Sequence, residues 1–162
     1  MNRKVLSITH AAVIAALYVV LTLVANAFGL ANNAIQIRFS EALTILPYFT
    51  PAAIPGLFIG CLLSNIMTGA ALPDIIFGSL ATLIGAIFTR KLRKYKWMAP
   101  LPPIVANAIL IPPVLLFAYG IKPYWFSLVT VTIGELVSCG LLGMILLFTL
   151  QKHAGRIFSA GI

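Results

Sequence analysis

The chain has 162 residues, of which 61% are hydrophobic and only 9% charged, and its mean hydropathy is +1.07. Soluble domains carry about 25% charged residues, so this chain has too few to cover itself with a solvated surface, and a water-soluble enzyme is excluded. The formal charge of +8 does not point to nucleic acid, because the basic residues sit at the ends of apolar runs rather than in a groove or stripe.

Taken in chain order, the apolar runs predict helices over about 5–28, 39–50, 52–70, 74–90, 101–119 and 124–150. Most are long enough to cross a hydrocarbon layer of about 30 Å at 1.5 Å per residue. None alternates with the two-residue period of a barrel strand. The first run begins after Met1-Asn2-Arg3-Lys4 and outlasts the 7–15 residues of a signal-peptide core, so it is read as a retained helix. Gly29, Asn32-Asn33, Pro51, Leu72-Pro73, Pro100, Pro102-Pro103, Gly120 and Pro123 punctuate the boundaries. The second run is the weak one: about 12 residues is short for a crossing, and Pro47 interrupts it.

Charge sets the orientation. Six spans with the N-terminus inside put nine of the 11 Lys plus Arg on the cytoplasmic side, leaving Arg38 and Lys122 outside. Five spans give eight against three, but require Arg3-Lys4 to cross the bilayer. The expectation is therefore an all-α integral membrane protein of the cell membrane. It is a compact bundle of six transmembrane helices with both termini cytoplasmic, and residues 1–162 form a single domain.

The helix faces carry small residues four apart: Ala11 and Ala15, with Ala12 and Ala16 beside them, then Gly56, Gly60, Ser64 and Thr68. Gly78 and Gly85 mark the fourth helix. Such ridges let backbones approach closely in lipid. Intramolecular packing is their first reading and partner docking their second. Cys61 and Cys139 lie in apolar segments and read as small buried side chains, and no Cys/His spacing suits a metal.

The acids are Glu41, Asp74 and Glu135. Glu135 falls about 11 residues into the last helix, roughly 16 Å below the outer surface. An ionisable group at that depth usually faces the bundle interior or a water-filled cavity. Thr132, Glu135 and Ser138 make a polar stripe at three-residue spacing. Asn107 lies at similar depth, Asn65 toward the outer end of the third helix, and Glu41, Asp74 and Arg38 near outer helix ends. Each has a structural reading beside the binding one. Glu135, Asn65 and Asn107 can serve as interhelical glue, Asp74 as a helix cap, and Arg38–Glu41 as an interfacial pair. No Walker motif, catalytic triad or internal inverted repeat is evident, so no enzyme activity or cofactor is expected.

The stretch from Ala34 through Arg38-Phe-Ser-Glu41-Ala-Leu43 to Pro51, continued by Gly56, Gly60 and Asn65-Ile-Met-Thr68-Gly69, resembles the QueT family of queuosine-precursor transporters, as does Ile133-Gly-Glu135. Those are substrate-binding S-components of energy-coupling-factor (ECF) importers. The resemblance implies a solute site near the outer face, with the 32–38 loop contributing to it. It also implies docking through Ala11 and Ala15 on a transmembrane coupling protein that carries two cytoplasmic ATPases. The implied solute is queuine or another 7-deazaguanine. Glu135 is the first choice for the base edge, Asn107 or Asn65 for the ring carbonyl, and Asp74 or Glu41 for an amine. Phe77, Phe117, Tyr124 or Phe126 would stack on the base. Rival readings are an S-component for another vitamin-like solute, a stand-alone transporter using Glu135 as proton carrier, and a structural assembly subunit.

Overall fold

A computed structural model describes residues 3–29 and 37–158. The described residues are helical, with no strand. Helix α1 spans Arg3–Ala27, α2 Ala53–Met67, α3 Leu72–Lys91 and α4 Leu101–Tyr119. A rod over Tyr124–Gln151 comprises α5 (Tyr124–Glu135), a π-helical segment (Leu136–Leu142) and α6 (Gly143–Gln151). A short α7, Ala154–Ile157, follows. The starts and stops follow the predicted punctuation: Pro73 and Pro102 sit in first turns, where a missing N–H costs nothing, and Gly120 closes α4 at φ 66°.

Four of these segments are long and apolar enough to cross a membrane: α1, α3, the stretch Lys96–Tyr119 and the rod. The exterior matches that reading, since Leu17, Val20, Ile66, Ile109, Phe117 and Leu136 all face outward. The interior is where the polar groups lie, including Ser40, Glu41, Asn65, Asp74, Asn107 and Glu135. That distribution is the reverse of a soluble protein's and fits a chain solvated by lipid.

The second predicted helix is not an α-helix. Phe39–Tyr48 forms a 3-10 helix of 10 residues, walled by α1, α2, α3, α6 and the π-helical segment. Two features disfavour α geometry here. Pro47 supplies no N–H to the ladder, and the Thr44 hydroxyl occupies the Glu41 carbonyl at 2.6 Å. The 3-10 form also reaches further, about 20 Å at 2.0 Å per residue against about 15 Å for an α-helix. The short segment thus runs most of the way through the bundle while facing protein rather than lipid. At its far end, the Arg90 guanidinium donates to the carbonyls of Pro47 and Tyr48, both at 3.3 Å.

Small residues set two helix contacts. A Cβ on Gly56 would stand 2.6 Å from the Ala11 carbonyl oxygen, and one on Gly60 would stand 2.7 Å from Tyr18 Cβ and 3.1 Å from Ala15 Cα. The alanine ridge of α1 therefore packs on the glycine ridge of α2, the intramolecular reading of both motifs. Gly85 does the same against Pro103, at 2.8 Å from its Cα. Beside Ala11 and Ala15, the exposed Ala12 and Ala16 floor an open apolar groove shared with Ile59 and Leu63.

Candidate binding site

The C-terminal ends of α1, α2 and α4 and the start of α3 meet around a cavity of about 260 Å³. Thr22 and Asn26 reach it from α1, Asn65 from α2 and Thr68 from the C-cap of that helix, Asp74 from α3, and Leu115 and Tyr119 from α4. Arg38 enters from the chain leading into the 3-10 helix. Arg38 is shared with a second, deeper space of about 10 Å³, lined also by Asn107, Ile111, Val131 and Glu135. That is barely room for one water. Five of the six predicted binding residues thus line two compartments with Arg38 between them. Each compartment holds a carboxylate and an amide, Asp74 with Asn65 outside and Glu135 with Asn107 inside.

The sixth, Glu41, lies on the buried 3-10 helix, 2% exposed. Its Oε1 accepts from the Tyr18 hydroxyl. Cys139 Sγ lies 3.0 Å from Glu135 Oε2, 3.4 Å from the Glu41 carbonyl and 3.3 Å from Thr44 Oγ1. Ligand atoms of Glu41, Glu135 and Cys139 fall within 4.8 Å of one another. Cys139, read from sequence as a plain apolar filler, therefore joins two acids. The π-helical turn that begins after Glu135 helps here: Ser138 and Cys139, adjacent in sequence, are both 1% exposed.

Several expectations are corrected. Arg38 pairs with Asp74, with 3.9 Å between Nη2 and Oδ2, rather than with Glu41. Asp74 does not cap its helix, since Ala71 is the capping residue and no side-chain cap bond forms; Asp74 Oδ2 instead accepts from the Tyr119 hydroxyl at 3.2 Å. Thr132 is not part of the inward stripe, because its hydroxyl turns back to the Leu128 carbonyl of its own helix at 2.7 Å. The buried positions here include Ser127, Thr130, Val131, Gly134, Glu135, Ser138 and Cys139. Phe77, Phe117, Tyr124 and Phe126 are all exposed, and none lines either compartment. Of the predicted 32–38 loop, residues 32–36 lie outside the described residues.

Sequence reasoning missed Tyr119 and Tyr18. A signal for Tyr18 was present, because Tyr18, Thr22 and Asn26 repeat every four residues on an apolar helix and so share one face. Thr22 also donates to Ser40 at 2.8 Å, tying that face to the 3-10 helix. Several buried polar atoms have no hydrogen-bond partner among the described residues, including Glu41 Oε2, Asp74 Oδ1 and Asn107 Nδ2. Buried polar groups are rarely left so. Two acceptors and a donor therefore stand ready around Arg38.

Residues 8–152 match the family described as QueT transporter. The chain belongs to the QueT transporter family. It is a multi-pass protein of the cell membrane. The queuosine precursor transporter QueT of Lactococcus lactis subsp. cremoris (strain MG1363) is similar, 36% identical over 81 residues, which is 50% of this chain and 47% of that protein. The aligned part spans about half the length of this relative. No solved structure matches. The QueT family match runs from within α1 to the end of the rod, and so covers every residue of both compartments.

Proposed function

We propose that the chain is the substrate-binding membrane subunit of an ATP-driven ECF-type importer, and that it binds queuine or another 7-deazaguanine near the outer face. The observation that carries this reading is that Glu135 and Asn107 line one small buried compartment, which shares Arg38 with the larger one. A guanine-like edge presents ring N–H and exocyclic amine donors side by side, and a carboxylate accepts both. The Asn107 amide is suited to the adjacent carbonyl. The base enters edge-first: its body fills the outer cavity, Arg38 moves aside, and its donor edge reaches Glu135.

In this reading six segments cross the bilayer with both termini cytoplasmic. The basic residues around Arg90–Lys96 and Lys152 lie inside, as the positive-inside rule requires. The chain carries no ATPase motif, so hydrolysis falls to two cytoplasmic ATPases acting through a transmembrane coupling protein. The groove over Ala11, Ala12, Ala15 and Ala16 is the surface offered to that protein, flat enough for a second backbone to approach.

Calorimetry of queuine and the aminomethyl deazaguanine, with guanine as control, tests the reading on purified wild type and Glu135→Gln. Tight binding that weakens more than about tenfold in the variant, or 1.4 kcal/mol, is expected. Failure of both compounds to bind refutes the substrate. A stand-alone proton-coupled transporter is the second reading, favoured by the closeness of Glu41 and Glu135. It predicts uptake by the chain alone that an uncoupler abolishes and ATP depletion does not.

A further inference from the structure

The two compartments hold two acids, Asp74 and Glu135, and the 3-10 helix beside them buries a third, Glu41. Glu41, Asp74 and Glu135 are each at least nine-tenths buried, and Arg38 is the cation that lines either compartment. Arg38 is near enough to both Asp74 and Glu41 to act on each electrostatically. Its contact with Asp74, at 3.9 Å, is an ion pair without a short hydrogen bond. Asp74 Oδ1 and Glu41 Oε2 are buried with no partner among the described residues. Buried carboxylates left uncompensated are costly, so a ligand that brings positive charge is favoured over one that does not.

Resting on the deazaguanine reading above, the geometry points to a site selective for a cationic amine carried on position 7 of the deazaguanine ring, held by Asp74 with the Tyr119 hydroxyl beside it. The ring carbonyl lies between the donor edge and that substituent. A base whose edge meets Glu135 and whose carbonyl meets Asn107 therefore carries its substituent back toward the outer cavity, where Asp74 stands. The ammonium takes Arg38's place at Asp74, and Arg38 turns to Glu41. Each acid then gains a donor beyond those the protein already supplies: Asp74 the ammonium, Glu41 the guanidinium, and Glu135 the edge of the base. Tyr119 already accepts from the Ala71 N–H at 2.9 Å and donates to Asp74, which fixes the carboxylate for the incoming amine.

The test uses two ligands with the same 7-deazaguanine ring, one bearing an aminomethyl group and the other a neutral nitrile. Their affinities are measured by calorimetry on the full chain in detergent, for wild type and Asp74→Asn. Wild type is expected to prefer the aminomethyl compound by about tenfold to a hundredfold, the range for a hydrogen bond to a charged group. Asp74→Asn should lose most of that preference, measured as the ratio of the two affinities in the same variant, and its thermal unfolding in detergent reports that it is folded. Equal affinities in wild type overturn the charge selectivity and leave the deazaguanine reading standing. Selectivity that survives Asp74→Asn overturns the assignment to Asp74. Binding of neither compound to wild type overturns both.

Discussion

Placing a methyl group on Gly56 tests the α1–α2 contact on which the inner wall of the site depends. The Cβ of Gly56→Ala would lie 2.6 Å from the Ala11 carbonyl oxygen and 3.2 Å from Ala11 Cα. The obstacle is backbone, so no rotamer change relieves it. Contacts between heavy atoms become favourable near 3.5 Å, so α1 must retreat by about 1 Å. Overpacking of this kind costs about 1–3 kcal/mol. For a chain of this size that is a fall in Tm of about 2–12 °C, read by thermal unfolding in detergent. Gly60→Ala should cost a similar amount, because its Cβ would meet Tyr18 Cβ at 2.7 Å and the Ala15 carbonyl at 3.0 Å. The double variant should lose less than the sum, since one retreat of α1 relieves both clashes. Gly140→Ala is the control: its nearest new neighbour is the end of the Ile104 side chain at 3.9 Å, an ordinary contact. A Gly56→Ala protein with wild-type Tm refutes the contact, and full additivity refutes the shared displacement.

Three more outcomes are expected. Tyr18→Phe removes the donor to buried Glu41 and should cost about 1–3 kcal/mol; in a double-mutant cycle, adding Glu41→Gln should recover much of that loss. Tyr119→Phe breaks the bonds to the Ala71 N–H and Asp74 and should weaken deazaguanine binding severalfold, whereas Phe117→Ala, at a side chain 85% exposed, should leave the affinity unchanged by calorimetry. Thr89→Val withdraws the hydroxyl that donates to the buried Ala99 carbonyl at 3.0 Å and should lower thermal stability by about 1 kcal/mol or more without altering affinity.

The extent of the long helices was legible because length and punctuation decide it: an apolar run bounded by Pro or Gly leaves few alternatives. The geometry of Phe39–Tyr48 was not. Hydropathy reports that a segment avoids water but does not say whether it faces lipid or protein, and the choice of a 3-10 helix depends on walls supplied by distant residues. The acids and amides stood out because polar groups are conspicuous in an apolar chain, and four of them, Asn65, Asp74, Asn107 and Glu135, do line the two compartments that share Arg38. Their partners were harder to foresee. The pairing of Asp74 with Arg38 and Tyr119 joins residues far apart in sequence, where no local pattern exists. Thr132 misled because three-residue spacing marks a helix face only loosely, and its hydroxyl had a carbonyl within its own helix to satisfy it. The aromatic residues misled because rings at a membrane boundary look alike in sequence whether they turn toward lipid or toward a cavity.

The 3-10 helix also has a bearing on how the protein is made. It leaves the ribosome soon after α1, yet part of its enclosure, the π-helical segment and α6, is synthesised much later. The ribosome needs roughly 90 further residues to reach Leu136, on the order of 5–20 s of synthesis. Through that interval Phe39–Tyr48 has only its earlier neighbours to shelter Glu41 from the membrane. The centre of the molecule is therefore completed last, and a nascent chain halted before the rod would hold its acidic heart without a lid.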